Sequence, residues 1–184
     1  MEDRDGVAEV LLIGGRAGVG KTTVGWEVSA LLREAEVGHA VMDGDFMGQV
    51  HPAPEGDPSR ATITERNLAA VWANYVRIGC RRMVYVNTVS VLPESTGMFE
   101  RAMGARVRLV RVLLTGTDAT VTERLTARER GSELARELAN SARKARLLDE
   151  RVAADTLRVA TDGRSVPDVA GEVVMATGWM TQGR

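Results

Sequence analysis

The chain has a single cysteine, Cys80, in 184 residues, so no internal disulfide framework can brace it, and a reducing compartment suits it. An excess of one charge sign is also missing. Lys and Arg number 24 against 25 Asp and Glu, and the net charge of −1 provides no broad basic field for nucleic acid or an anionic membrane. Any charged ligand must be met by local groups. No apolar run approaches the roughly 18 residues of a membrane helix, and the start, Met1-Glu2-Asp3-Arg4-Asp5, is charged where a secretion signal is apolar. The expectation is a cytoplasmic protein with neither nucleic acid nor membrane as partner. There is no internal repeat, and nothing in the chain speaks to oligomeric state. What is present, 44% hydrophobic and 27% charged residues, is the balance of one globular domain over residues 1–184.

Apolar strand-like runs alternate with stretches of helical period, the pattern of a parallel sheet with crossover helices. Five strands are expected near Val10–Ile13, His39–Met42, Met83–Val86, Val107–Leu114 and Thr156–Ala160. The first helix is predicted from Lys21 to about Glu36, with Val24, Val28, Leu31, Leu32 and Ala35 on its apolar face. Thr62-Ile63-Thr64-Glu65 reads as a capping box opening a second helix, whose Leu68, Val71, Trp72, Tyr75 and Ile78 recur at helical spacing before Gly79. Trp72 and Tyr75 read as core. Thr120-Val121-Thr122-Glu123 offers another capping box, and Ser165, Pro167 and Asp168 start a last helix that ends near Gly178.

Residues Gly15-Arg16-Ala17-Gly18-Val19-Gly20-Lys21-Thr22 fit G-x-x-x-x-G-K-[ST] and directly follow the run Val10-Leu11-Leu12-Ile13. Glycines at this spacing let successive backbone N–H groups turn toward a β-phosphate, and the next helix aims its unsatisfied N–H groups at the same anion. Lys21 adds a cation for the β- and γ-phosphates, the Thr22 hydroxyl can ligate Mg²⁺, and Thr23 follows in the first helical turn. A glycine-rich turn with an exposed lysine is the plainer alternative.

In open α/β sheets the ligand crevice lies beyond the carboxyl ends of the strands. Those ends lead here into the phosphate loop, Asp43-Gly44-Asp45, Asn87-Thr88-Val89-Ser90, Thr115-Gly116-Thr117-Asp118 and Thr161-Asp162-Gly163-Arg164. Two carboxylates at the tip of the second strand face the γ-phosphate across such a crevice. One can accept an acceptor's hydroxyl proton, the other can hold Mg²⁺ through water, and their repulsion raises one pKa. Asp43 is narrowly preferred as the base, with Asp45 toward the metal. An ordinary Asp-Gly turn is the alternative. The third strand's tip, with Asn87, has no Walker B aspartate, so any second protein partner of Mg²⁺ comes from Asp43 or Asp45.

The succession of strand, phosphate loop, helix, Val41-Met42-Asp43-Gly44-Asp45 and a helix with Asn67-Leu68 resembles adenylylsulfate kinase over roughly the first 90 residues. That family carries a similar L-D-G-D beside the acceptor hydroxyl, and its Asn-Ile pair follows an Arg whose register Thr64 occupies here. The second half is similar to a wider group: nucleoside monophosphate, gluconate and shikimate kinases and chloramphenicol phosphotransferase. Their R-L-x-x-R lid pattern is matched by Arg124-Leu125-Thr126-Ala127-Arg128, with Arg130 nearer a mobile end. Arg124 and Arg128 lie four apart on one helix face, where both can converge on phosphate oxygens or pair with Glu123, Glu129 and Glu133. In this group the loop after strand five packs against adenine, which implies Gly163 and Arg164 beside the base.

The resemblance implies an α/β single-domain P-loop NTPase fold, a five-stranded parallel sheet with helices on both faces and a small lid at 124–146. It implies a kinase that uses ATP and Mg²⁺ and moves the γ-phosphoryl to a hydroxyl or phosphate of a small molecule. Adenylylsulfate kinase or a nucleotide kinase is the alternative enzyme. A non-catalytic ATP-binding switch is the alternative of another class, whereas guanine specificity lacks an N-K-x-D segment. The nucleotide set is Gly15, Ala17, Gly18, Val19, Gly20, Lys21, Thr22, Thr23, Arg124, Gly163 and Arg164. The catalytic set is Lys21, Asp43, Asp45, Arg124 and Arg128. Residues 46–61 show no periodicity and are expected to form the substrate-side loop. Phe46, His51 and Arg60 there, with Asp43, Asn67 and Asn87, are the candidates for acceptor contact.

Overall fold

A computed structural model describes residues 7–104, 106–128 and 132–181. Five parallel strands, β1 (Ala8–Gly14), β2 (Ala40–Asp43), β3 (Arg82–Val86), β4 (Val107–Thr115) and β5 (Leu157–Ala160), form one sheet in the order β2-β3-β1-β4-β5. Helix α1 (Lys21–Glu34) joins β1 to β2, α2 (Ala61–Arg77) joins β2 to β3, and α3 (Thr96–Met103) joins β3 to β4. Helices α4 (Asp118–Arg128) and α5 (Ser132–Arg151) both lie between β4 and β5, and α6 (Val166–Thr177) follows β5. The predicted α/β architecture is therefore the one observed.

The strands' two-residue period divides the core. Leu11 and Ile13 pack with Val84, Val86, Val112 and Leu114 beneath apolar side chains of α1, α4 and α6. Val10 and Leu12 pack with Met83, Tyr85 and Leu113 beneath Leu68 and Trp72 of α2, Phe99 of α3 and Leu148 of α5. Val10, Leu11, Leu12 and Ile13 are all wholly buried, as a strand covered on both faces must be.

Helix starts depart from the sequence reading. The box at Thr62 does not form, because α2 begins at Ala61 and puts Thr62 inside the first turn. Asp57 caps α2 instead, its Oδ2 accepting from Ile63 N at 3.1 Å, and these backbone N–H bonds help hold its carboxyl below the usual range although burial opposes them. Glu65 forks with Arg101 of α3, at 2.7 Å from Nη2 to Oε2. Likewise α4 begins before Thr120, and Thr117 Oγ1 accepts from Thr120 N at 3.3 Å. The Ser165 cap forms as expected, its Oγ accepting from Asp168 N, and Gly178 ends α6 at φ 69°.

Two further boundaries shift. Helix α1 stops at Glu34, and Glu36 takes φ 56°. Strand β2 starts at Ala40, and the His39 ring just before it is held by Nδ1 donating to Val37 O and Nε2 accepting from Ser29 Oγ, each at 2.8 Å. The strand reaches Asp43, which fixes that residue's backbone at the sheet's carboxyl end. Among the described residues no helix is long and apolar enough to cross a membrane.

Candidate active site

The connection from β3 to β4 steps over β1, so the crevice opens at the carboxyl end of β1 between its two neighbours. The phosphate loop fills that end. Gly20, at φ 93°, sits at the N-cap of α1 and offers no side chain, so no side-chain oxygen caps the helix's first N–H groups. They form a donor set suited to an anion. Lys21 Nζ reaches back to Arg16 O at 3.2 Å, and Thr22 and Thr23 are exposed on the first turn.

The loop is braced from both sides. Arg16 is buried and donates to Asp118 Oδ1 at 2.6 Å and Gly116 O at 3.1 Å. From α5, Ser141 Oγ donates to Ala17 O at 2.9 Å. Neither Arg16 nor Ser141 was singled out from sequence, because one is an unspecified position of the motif and the other lies far along the chain in a polar helix.

Across the crevice, Asp43 Oδ1 accepts from Asp45 N at 3.0 Å and caps the single 3₁₀ turn at Gly44–Phe46. Asp45 Oδ1 accepts from Asn87 Nδ2 at 2.6 Å. Partial desolvation in the crevice and then the Asp43 charge push the Asp45 carboxyl above the usual aspartate range, against the opposing pull of Lys21 and Asn87. Gly44 is required sterically, since a Cβ there would lie 2.2 Å from Tyr85 Oη. Burial, reinforced by Asp45 and Asp43, keeps that hydroxyl protonated.

Asp45 and Asn87 stand in the walls of two hollows. One, of about 300 Å³, is also lined by Gly48, Arg60, Thr64, Tyr85 and Ser90. The other, of about 370 Å³, is closed by Ala17 and by Asn140, Ser141, Arg143 and Lys144 of α5. Of the acceptor candidates, Arg60 lines the first hollow while its Nε donates to Val50 O at 2.9 Å. Phe46 and His51 are exposed and line neither. Asn67 Nδ2 donates to Met47 O at 2.8 Å and ties the loop to α2 rather than facing a hollow. The α5 residues Asn140, Arg143 and Lys144 were missed, because periodicity alone does not say which polar face of a helix overlooks a crevice.

On the opposite side, Arg124 Nη1 donates to Thr161 Oγ1 at 3.0 Å and Nη2 to Thr161 O at 3.2 Å. With Val19, Gly20, Thr23, Thr161 and Arg164 it lines a hollow of about 190 Å³. Gly163 turns the chain beside it at φ 65°, and Arg164 is paired with Glu172 at 2.7 Å. Asp162 holds the start of α4 by accepting from Thr117 N and Oγ1, and hydrogen bonds from Thr120 and Thr117 lower its carboxyl to about 2. The Arg128 side chain and Arg130 lie outside the described residues.

No protein-family model matches the chain, and comparison with curated proteins yields no match. Solved structures do match. A tunicamycin resistance protein from Deinococcus radiodurans superimposes with a TM-score of 0.61 at 17% identity, over 93% of this chain and 96% of that one. A gluconokinase from Sinorhizobium meliloti gives 0.57 at 17% identity, over 92% and 91%. The APS kinase of Mycobacterium tuberculosis, solved with AMPPNP and APS, gives 0.50 at 18% identity, over 92% and 97%. The chain has the fold of the P-loop small-molecule kinases.

Proposed function

We propose that this protein is a kinase that transfers the γ-phosphoryl of ATP to a hydroxyl of a small polar acceptor, with Asp45 as the general base. The observation that carries this reading is the placement of Asp45. Among the described residues it is the one carboxylate that lines both acceptor hollows; it feels the Lys21 charge of the phosphate loop, and partial desolvation in the crevice raises its proton affinity. A base of raised pKa takes an acceptor's proton more readily than an ordinary aspartate does.

The uncapped N–H groups at the start of α1 hold the nucleotide's phosphates, and Lys21 swings from Arg16 O onto them. Thr22, exposed on the first turn, is the oxygen donor assigned to Mg²⁺, a hard cation that prefers such ligands. When bound, the metal neutralises charge on the phosphoryl oxygens. Asn87 orients the Asp45 carboxylate toward the acceptor hydroxyl. Arg124 and Arg164 border the hollow assigned to the base, and Arg128, one turn along α4, is assigned to the transferring phosphoryl group. Hydroxyl and amide groups of Thr64, Ser90 and Asn87, with Arg60, suit a hydroxylated acceptor that carries an anionic group.

The test is transfer of labelled γ-phosphate from Mg-ATP to pooled nucleosides, nucleotides, adenylylsulfate, sugar acids and antibiotic alcohols, with Asp45→Asn in parallel. A product that disappears in Asp45→Asn supports the reading and names the acceptor class. Tight ATP binding with no acceptor in any pool favours a non-catalytic switch.

A further inference from the structure

A cavity of about 270 Å³ lies between α5 and the carboxyl half of β4, with Arg158 of β5 in its wall. It shares no lining residue with the acceptor hollows or with the hollow beside Arg124. Along α5, Asn140, Ser141 and Lys144 line the acceptor-side hollow, whereas Arg146, Leu148 and Asp149 line this cavity.

Its chemistry is lopsided. Leu113 and Leu148, both buried, form an apolar floor, and three guanidinium groups, Arg16, Arg146 and Arg158, border it together with two carboxylates, Asp118 and Asp149. Arg158 is paired with Asp149. The Arg16 side chain is 7% exposed while that of its partner Asp118 is 87% exposed, so the counter-charge of a buried cation sits in water and is screened there. Arg146 makes no hydrogen bond or ion pair with any described residue and leaves one positive charge uncompensated at the rim.

We propose that this cavity is a second binding site, for a small organic anion whose apolar body rests on Leu113 and Leu148 and whose oxyanion is held by Arg146 with Arg16. The geometry suits a carboxylate or a phosphate monoester, since both offer the planar or forked oxygens that guanidinium groups bind in pairs. Arg16 belongs to the phosphate loop and its carbonyl oxygen accepts from Lys21, so the occupant shares a wall with the nucleotide site.

The experiment is calorimetric titration of the full chain with benzoate, phenyl phosphate and uncharged benzamide, with and without saturating Mg-AMP-PNP. At least one of the two anions is expected to bind one-to-one in both conditions, benzamide in neither, and the tighter anion identifies the class. Arg146→Ala is expected to weaken that binding by about tenfold. Arg146 is exposed and has no described partner, so the variant should keep its fold, which its melting curve verifies. Asp45 does not line this cavity, and Asp45→Asn is expected to leave the affinity unchanged. Displacement by AMP-PNP, indifference to Arg146→Ala, dependence on Asp45, or no binding of either anion up to ~10 mM overturns the proposal.

Discussion

Residues 15–20 and residues 46–60 border the same crevice, yet Arg16 and Val19 are buried while Phe46 is 71% exposed. The phosphate loop is braced by Asp118 of α4 and Ser141 of α5. The acceptor-side loop is tied at separate points, by Asn67 to Met47 O, Arg60 to Val50 O and Asp57 to the first turn of α2. A donor set for a charged triphosphate works only if its dipoles are fixed beforehand, because reorganising them would cancel the gain. A loop that selects among acceptors can instead sit at the surface on a rigid frame. The crevice thus joins a buried, braced half to an exposed one, with Asp45 at the junction.

The largest expected effect comes from separating the halves chemically. Asp45→Asn should lower kcat by about 10²–10⁴-fold, the usual contribution of a positioned base. Affinity for AMP-PNP should stay close to wild type, whereas Lys21→Ala should lose nucleotide affinity. Steady-state turnover and calorimetry on both variants decide this. Equal loss of nucleotide binding in Asp45→Asn would remove the division between the halves.

Gly44→Ala should damage the acceptor half next most severely. Its Cβ meets the Tyr85 ring, which is wholly buried and packed edge-on against Phe99 with centroids 5.1 Å apart, so relieving the clash means disturbing that packing. Overpacking of this kind costs about 1–3 kcal/mol, measurable by urea denaturation. Unchanged stability would show that Tyr85 has room to move.

Ser141→Ala tests the braced half more gently. Losing the hydroxyl bond to Ala17 O should cost about 0.5–1.5 kcal/mol and weaken AMP-PNP binding a few-fold, with KM for the acceptor unchanged. An effect on acceptor KM alone would assign α5 to the acceptor side only.

Much of this architecture is legible in the chain because local rules determine it. The run at Val10–Ile13, the glycine spacing at 15–20 and the Asp-Gly-Asp tip of β2 each announce their place without reference to distant residues. What stays hidden depends on partners remote in sequence. Glu65 looks like half of a capping box until Arg101, 36 residues on, takes its carboxylate, and Thr120 looks like a cap until Thr117 and Asp162 fill that role. Ser141 lies 124 residues from the carbonyl it braces. His51 and Phe46 look suited to a ligand by type, and only the path of the loop shows that they face water.

The smallest expected effect is the most specific, because it distinguishes the two carboxylates of the tip. In the proposed mechanism turnover requires ionised Asp45, so it should fall as pH drops through that carboxyl's raised pKa. The Asp43 charge is one cause of the rise, so Asp43→Asn should ease ionisation of Asp45 and move the acid limb of kcat/KM to lower pH. Asn87 acts the other way, since its hydrogen bond favours the carboxylate, and Asn87→Ala should move the limb to higher pH. Opposite displacements, with residual turnover in both variants, identify Asp45 as the titrating base. If Asp43→Asn abolishes turnover while Asp45→Asn keeps an intact acid limb, the proton is taken by Asp43, and the turn it caps is itself the catalytic element.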